Sequence, residues 1–109
     1  MTNELKNQII EHLHWLGEQI GNEVEIVDKL SSNKGNYNRH FTRTSQFTFV
    51  IEHFGVAFSG AMARISGKHI HFEFKTDLIS RIERKEDLLE IELMLDINTS
   101  RLILFQILN

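Results

Sequence analysis

The apolar residues of this 109-residue chain change period once, and the change separates two kinds of structure. Leu5, Ile9, Leu13, Leu16 and Ile20 recur every three or four positions, which draws one stripe down a helix over about 3–20. Thr2 or Asn3 can cap its start, Glu4 suits the positive end of the helix dipole, and Gly21 is a natural stop. After Gly21 the period falls to two. Val24 and Ile26 alternate with Glu23 and Glu25, and Phe47, Phe49 and Ile51 with Gln46, Thr48 and Glu52. Val56, Phe58 and Met62 share one parity, in a segment where Gly60 marks a bend, a bulge or close packing. Ser66-Gly67 is a turn, after which Ile70, Phe72 and Phe74 fall on one side of a strand. Ile79 and Ile82 precede a polar turn, and Leu89, Ile91, Leu93 and Leu95 alternate after it. The pattern predicts strands over about 23–28, 45–54, 56–65, 69–75, 78–84, 88–95 and 101–108.

Short turns favour antiparallel neighbours. The expected fold is therefore α+β, with an N-terminal helix packed on an antiparallel meander or small barrel of six to seven strands, in a single domain over 1–109. The last strand breaks the alternation. Leu102, Leu104 and Leu108 stand on one parity and Ile103, Phe105 and Ile107 on the other, so the strand is either covered on both faces or offers one as a homodimer seam or docking edge.

Composition adds exclusions. The chain has no cysteine, which excludes a disulfide framework, a thiolate zinc site and a cysteine nucleophile. Glu4, Lys6, Glu11 and Glu18 interrupt the opening segment, which rules out a signal-type apolar run there. No stretch approaches the roughly 20 apolar residues of a membrane span, and the expectation is a cytoplasmic protein. The net charge of −3 is mild but unevenly spread. Four of the 12 basic residues and none of the 15 acidic ones lie between Lys29 and Ile51, so the remainder carries −7.

Three clusters are candidates for chemistry. His69, His71 and Glu73 share one side of a predicted strand, and two imidazoles two residues apart with a carboxylate can hold a metal. The competing reading is the solvated face of a half-buried strand. The two-histidine strand is similar to that of the cupin barrels over these few residues. A cupin needs a third histidine downstream, and none follows His71. The second cluster interleaves basic and aromatic residues: Lys34, Tyr37, Arg39, Phe41 and Arg43, within a basic loop over 29–45. It suits a protein partner, and it is also what a single-stranded nucleic acid would want, though the acidic domain weighs against nucleic acid. Third, Trp15 lies roughly 130° off the helix stripe at 100° per residue, where it is covered by a loop or anchors a partner.

The segment from Phe74 to Ile107 resembles the strand half of pleckstrin-homology-like and GRAM domains, and "FSGAMARISGKHIHF" is similar to Sm-like barrels. The former close with a C-terminal helix and the latter have five strands, so no family is assigned. Phosphate-cradling, nucleophile-elbow and zinc-protease motifs are absent, and no catalytic residue or cofactor is expected. The expected function is a small non-catalytic binding or regulatory protein of inhibitor- or immunity-like character. It would act on a protein partner or on itself through Trp15, the basic loop or an uncovered sheet edge. The alternatives are a ligand-binding barrel or enzyme with a pocket lined by Phe47, Phe49, Phe58, Phe72 and Phe74, and nucleic-acid binding through the loop.

Overall fold

A computed structural model describes residues 1–32, 40–57 and 60–108, with the backbone alone at His40, Phe41 and Thr42. Helix α1 (Asn3–Gly17) is followed by β1 (Glu23–Ser32), β2 (His40–Val50), β3 (His53–Ala57), β4 (Met62–Ser66), β5 (His71–Lys75), β6 (Ile79–Lys85), β7 (Leu88–Met94) and β8 (Thr99–Leu108). The strands form two antiparallel sheets, ordered β2-β1-β8-β7-β6 and β3-β4-β5. The α+β class and the leading helix match the pattern of the sequence. Among the described residues the strand count is eight rather than six to seven, and the sheets do not close into a barrel.

The difference arises at two places where parity is reset. The predicted strand 45–54 is in fact β2, a corner at Ile51 and Glu52, and the start of β3. At the corner Ile51 N–H donates to the Asn22 carbonyl, Gly21 N–H to the Ile51 carbonyl, and Glu52 N–H to the Ser66 carbonyl. One bent stretch of chain therefore leaves the first sheet and enters the second. Beyond it Phe54 and Val56 point inward, whereas His53, on the parity of Phe47 and Phe49, points out. The predicted strand 56–65 likewise divides into the end of β3 and β4, with a turn at Gly60 and Ala61 before β4 and 58–59 outside the described residues. Ala61 sits in the turn at φ 47°, a left-handed conformation that ends extended pairing. After it Ala63 and Ile65 are buried, and Met62, expected on the core parity, is not. The helix also ends sooner than its stripe implied. Gly17 is its last residue, the Glu18 N–H bonds back to the His14 and Trp15 carbonyls, and Ile20 is exposed.

The Oγ1 of Thr2 caps α1 by accepting from Leu5 N–H at 3.1 Å, and Ile9, Leu13 and Leu16 are its buried stripe. They join one core with the inner faces of both sheets. Val24 and Ile26 of β1, Ile103, Phe105 and Ile107 of β8, and Leu89, Ile91 and Leu93 of β7 supply the floor. Ala63 and Ile65 of β4 and Phe72 and Phe74 of β5 supply the roof, with α1 beside them. The rings interlock across the gap: Phe72 meets Phe47 at 5.4 Å and Phe105 edge-on at 5.9 Å, and Phe74 meets Phe105 at 5.8 Å.

One polar group crosses this core. Arg101 and Asp28 both lie on the inward parity of their strands, β8 and β1. The guanidinium makes a two-pronged pair with the carboxylate, Nε to Oδ1 at 2.9 Å and Nη2 to Oδ2 at 3.1 Å, with side chains only 23% and 11% exposed. It also donates to the Glu73 carbonyl at 3.4 Å and lies over the Phe72 ring at 5.1 Å, so it touches both sheets.

Two outcomes follow for stability, each measurable by urea unfolding. Arg101→Ala or Asp28→Ala alone is expected to cost about 2–4 kcal/mol by stranding the other charge, while Asp28→Leu with Arg101→Met costs less than either single change. A Cβ at Gly67 would lie 2.7 Å from Phe49 Cδ2 and 2.8 Å from the Val50 carbonyl oxygen, and Gly67→Ala is expected to lose about 1–3 kcal/mol.

Candidate protein-binding interface

The core uses one face of the five-stranded sheet. Its other face is built by the opposite parity: Glu23, Glu25, Val27 and Lys29 of β1, Leu102, Leu104, Gln106 and Leu108 of β8, and Leu88, Glu90 and Glu92 of β7. Among the described residues no helix or strand packs across its middle, while Ser31 and Ser100, paired on the same parity and hydrogen-bonded through their hydroxyls at 2.8 Å, are buried at one end. Register sets the neighbours. Val27, Leu104 and Glu90 form one cross-strand row, Lys29, Leu102 and Glu92 the next, and Glu23 stands beside Leu108. The apolar members are half-exposed, and they run along β8 from Leu108 to Leu102 for about 20 Å at the rise of a strand.

Met94 continues this stripe beside Ser100 and is exposed. The turn after it carries Leu95 and Ile97, the latter 88% exposed. That turn is well tied. Leu95 and Asp96 N–H both donate to the Thr99 carbonyl, and the Asp96 carboxylate accepts from Asn98 N–H at 2.7 Å. An isoleucine held at the tip of a constrained turn projects its side chain without losing much freedom on contact.

Charge surrounds the stripe. Arg81 on β6 is held by three carboxylates: Glu90 at 2.8 Å, Glu83 at 3.1 Å and Glu92 at 3.5 Å. The Glu90 hydrogen bond, against a smaller opposing effect of burial, raises the pKa of the guanidinium and keeps it cationic. One cation among three anions leaves this corner negative. Across the sheet the Glu25 carboxylate accepts from Gln46 Nε2 at 3.0 Å, and Glu23 adds a further acid at the Leu108 end. The interface offers an apolar centre, a border in which acids outnumber the cations Lys29 and Arg81, and a projecting isoleucine.

The residues singled out from sequence do not converge. Trp15 is half-buried on α1 against the core, with the Arg84 guanidinium of β6 over its ring at 4.8 Å; β6, rather than the basic loop, supplies the described contact. Lys34, Tyr37 and Arg39 lie outside the described residues, as does the Phe41 side chain. Arg43 is exposed on β2, beside Leu30 of β1. His69 falls in the turn before β5 rather than on the strand, while His71 and Glu73 are on β5. Glu73 pairs with Arg64 at 2.8 Å, and among the described residues no three histidine, aspartate or glutamate side chains gather as a metal site. Phe72 packs against Phe47, Phe74 and Phe105, Phe47 stacks on Phe49, and Phe58 lies outside the described residues. No helix among the described residues is long and apolar enough to cross a membrane.

Sequence reasoning flagged Leu102, Leu104 and Leu108 as an unexplained second parity but missed the rest of the interface. Register is what places Val27, Leu88 and the carboxylates beside them. Comparison with family models, curated proteins and solved structures finds no match to this chain.

Proposed function

We propose that this chain is a small, non-catalytic binding protein of inhibitor- or immunity-like character, acting one-to-one on another protein. The observation that supports the reading is the half-exposed apolar stripe of Leu102, Leu104 and Leu108 on the outer face of the five-stranded sheet, across whose middle no helix or strand packs among the described residues. Apolar stripes of this kind cost solubility when left in water, and a partner that covers one gains their burial. The acidic border selects the partner's chemistry. A surface with an apolar centre and arginine or lysine at its rim would be attracted from a distance and would bury the stripe on arrival. Ile97 would fill a pocket on that partner, in the manner of an anchoring side chain.

This reading differs in detail from the one drawn from sequence. The contact narrows from Trp15, the basic loop or an uncovered sheet edge to β8, its neighbours and the turn before it. The class of activity, binding without chemistry, is kept.

The test compares immobilised wild-type chain with Leu102→Lys/Leu104→Lys and with Ile97→Asp, each exposed to lysate of the source cells. All three are expected to unfold in urea within about 0.5 kcal/mol of one another, because the positions are at the surface. Wild type is expected to retain a basic protein that raised salt weakens and both variants lose. Retention of the same proteins by all three forms, or of none, overturns the reading.

A further inference from the structure

The three-stranded sheet presents a second open surface, the free edge of β3. β3 is the end strand of its sheet, and among the described residues only β4 pairs with it. Sheet edges are normally blunted by charge or proline. β6, at the edge of the other sheet, carries Arg81, Glu83, Arg84 and Lys85. β3 reads His-Phe-Gly-Val-Ala, with no lysine, carboxylate or proline, and its Gly55 and Ala57 are small and exposed.

A groove of about 470 Å³ runs along this edge. Phe54, Gly55 and Val56 line one side of it, and Ile10, Leu13 and Gly17 of α1 line the other. Consecutive strand residues point to opposite faces, so a groove that touches all three follows the strand's edge, where backbone groups are presented. The helix lies close against the strand, since a Cβ on Gly17 would reach within 3.2 Å of Phe54 Cδ1.

The pattern on α1 identifies the occupant. Lys6, Ile10, His14 and Glu18 follow one another at i, i+4 spacing, and all four are exposed; Ile10, His14 and Glu18 line the groove, Lys6 lies one turn beyond it, and His14 Nδ1 stands 3.5 Å from the Glu18 carboxylate. Ile10 is 65% exposed although it is apolar. The row is positive at one end and negative at the other. Turned end for end, it complements itself: Lys6 meets Glu18 of a second copy twice over, and each Ile10 falls opposite His14 of the other copy on either side of the centre. The same twofold rotation makes two β3 strands antiparallel. Centred on Gly55, that pairing sets Phe54 against Val56 of the second copy on the inner face.

We propose that the chain forms a twofold homodimer in which β3 pairs with β3 of a second copy and α1 packs antiparallel to its mate. The two three-stranded sheets become one continuous sheet, and the outer face of each five-stranded sheet stays free. An interface of this kind is isologous, so every contact occurs twice.

Sedimentation equilibrium over about 1 μM to 1 mM, a span that covers weak and moderate association, reads it directly. Wild type is expected to approach twice the 12.8 kDa mass of one chain. Lys6→Glu and Glu18→Lys each set like charges together at two places and are expected to weaken the dimer by about tenfold. The double variant Lys6→Glu/Glu18→Lys restores opposite charges and is expected to return within about threefold of wild type. Both changes suit the helix dipole, so loss of the helix does not confound the outcome. A monomer over the whole range overturns the proposal. So does a dimer that ignores the single changes, that the double variant fails to restore, or that is broken instead by Leu102→Lys/Leu104→Lys.

Discussion

The Arg101–Asp28 pair sets where the two layers meet. A guanidinium taken this far out of water needs both a counter-charge and acceptors for its remaining N–H groups. Asp28 supplies the first from the neighbouring strand, and the Glu73 carbonyl supplies part of the second from the opposite sheet. The flat face of the group rests on Phe72. Each partner has its own geometry, and together they leave one relative placement of β1, β8 and β5. Apolar packing alone tolerates sliding, because leucine and isoleucine contacts are not directional. The ion pair adds the direction, and the interlocked rings of Phe72, Phe74 and Phe105 fill the space next to it.

That placement has a one-sided outcome. Helix α1 and the three-stranded sheet both lie on the same face of the larger sheet, and together they cover its apolar parity. β8 is the middle strand of that sheet, hydrogen-bonded on both edges, yet of its apolar residues only Ile103, Phe105 and Ile107 are buried, with Ser100 the one buried residue on the other parity. A central position satisfies a strand's backbone without hiding both rows of its side chains. The second parity of β8 is the visible remainder.

Much of the fold was legible in the sequence. Alternation marked Val24 and Ile26, Phe72 and Phe74, and Leu89, Ile91 and Leu93 as inward, and all are buried. What alternation cannot see is a reset of phase. The corner at Ile51 and Glu52 shifts the inward set from Phe49 to Phe54, and the left-handed Ala61 shifts it from Val56 to Ala63. Neither site carries proline, and Ala61 is not a residue type that announces positive φ. The ion pair was half legible. Asp28 follows Val24 and Ile26 in phase, and Arg101 precedes Ile103 and Phe105 in phase, so each stands as a charge on an apolar parity. Seeing them as partners needs the pairing of strands 73 residues apart, which local pattern does not carry. The outer face was legible only where apolar residues broke the rule along a single strand, at Leu102, Leu104 and Leu108.

The pairing of β1 with β8 also bears on how the chain comes to be folded as it is made. β8 is the last of the eight strands to leave the ribosome, and it fills the gap between β1 and β7. Until it arrives, β1 with β2 and β6 with β7 are two hairpins whose facing edges are unpaired, with Val24, Ile26, Leu89 and Ile91 uncovered. Bringing the distant segments together carries a large loop-closure cost, so sheet completion is a late and slow event compared with the formation of either hairpin. A stall in translation before Thr99 would leave two apolar half-sheets in place of one finished layer, with their facing edges open to wrong pairing.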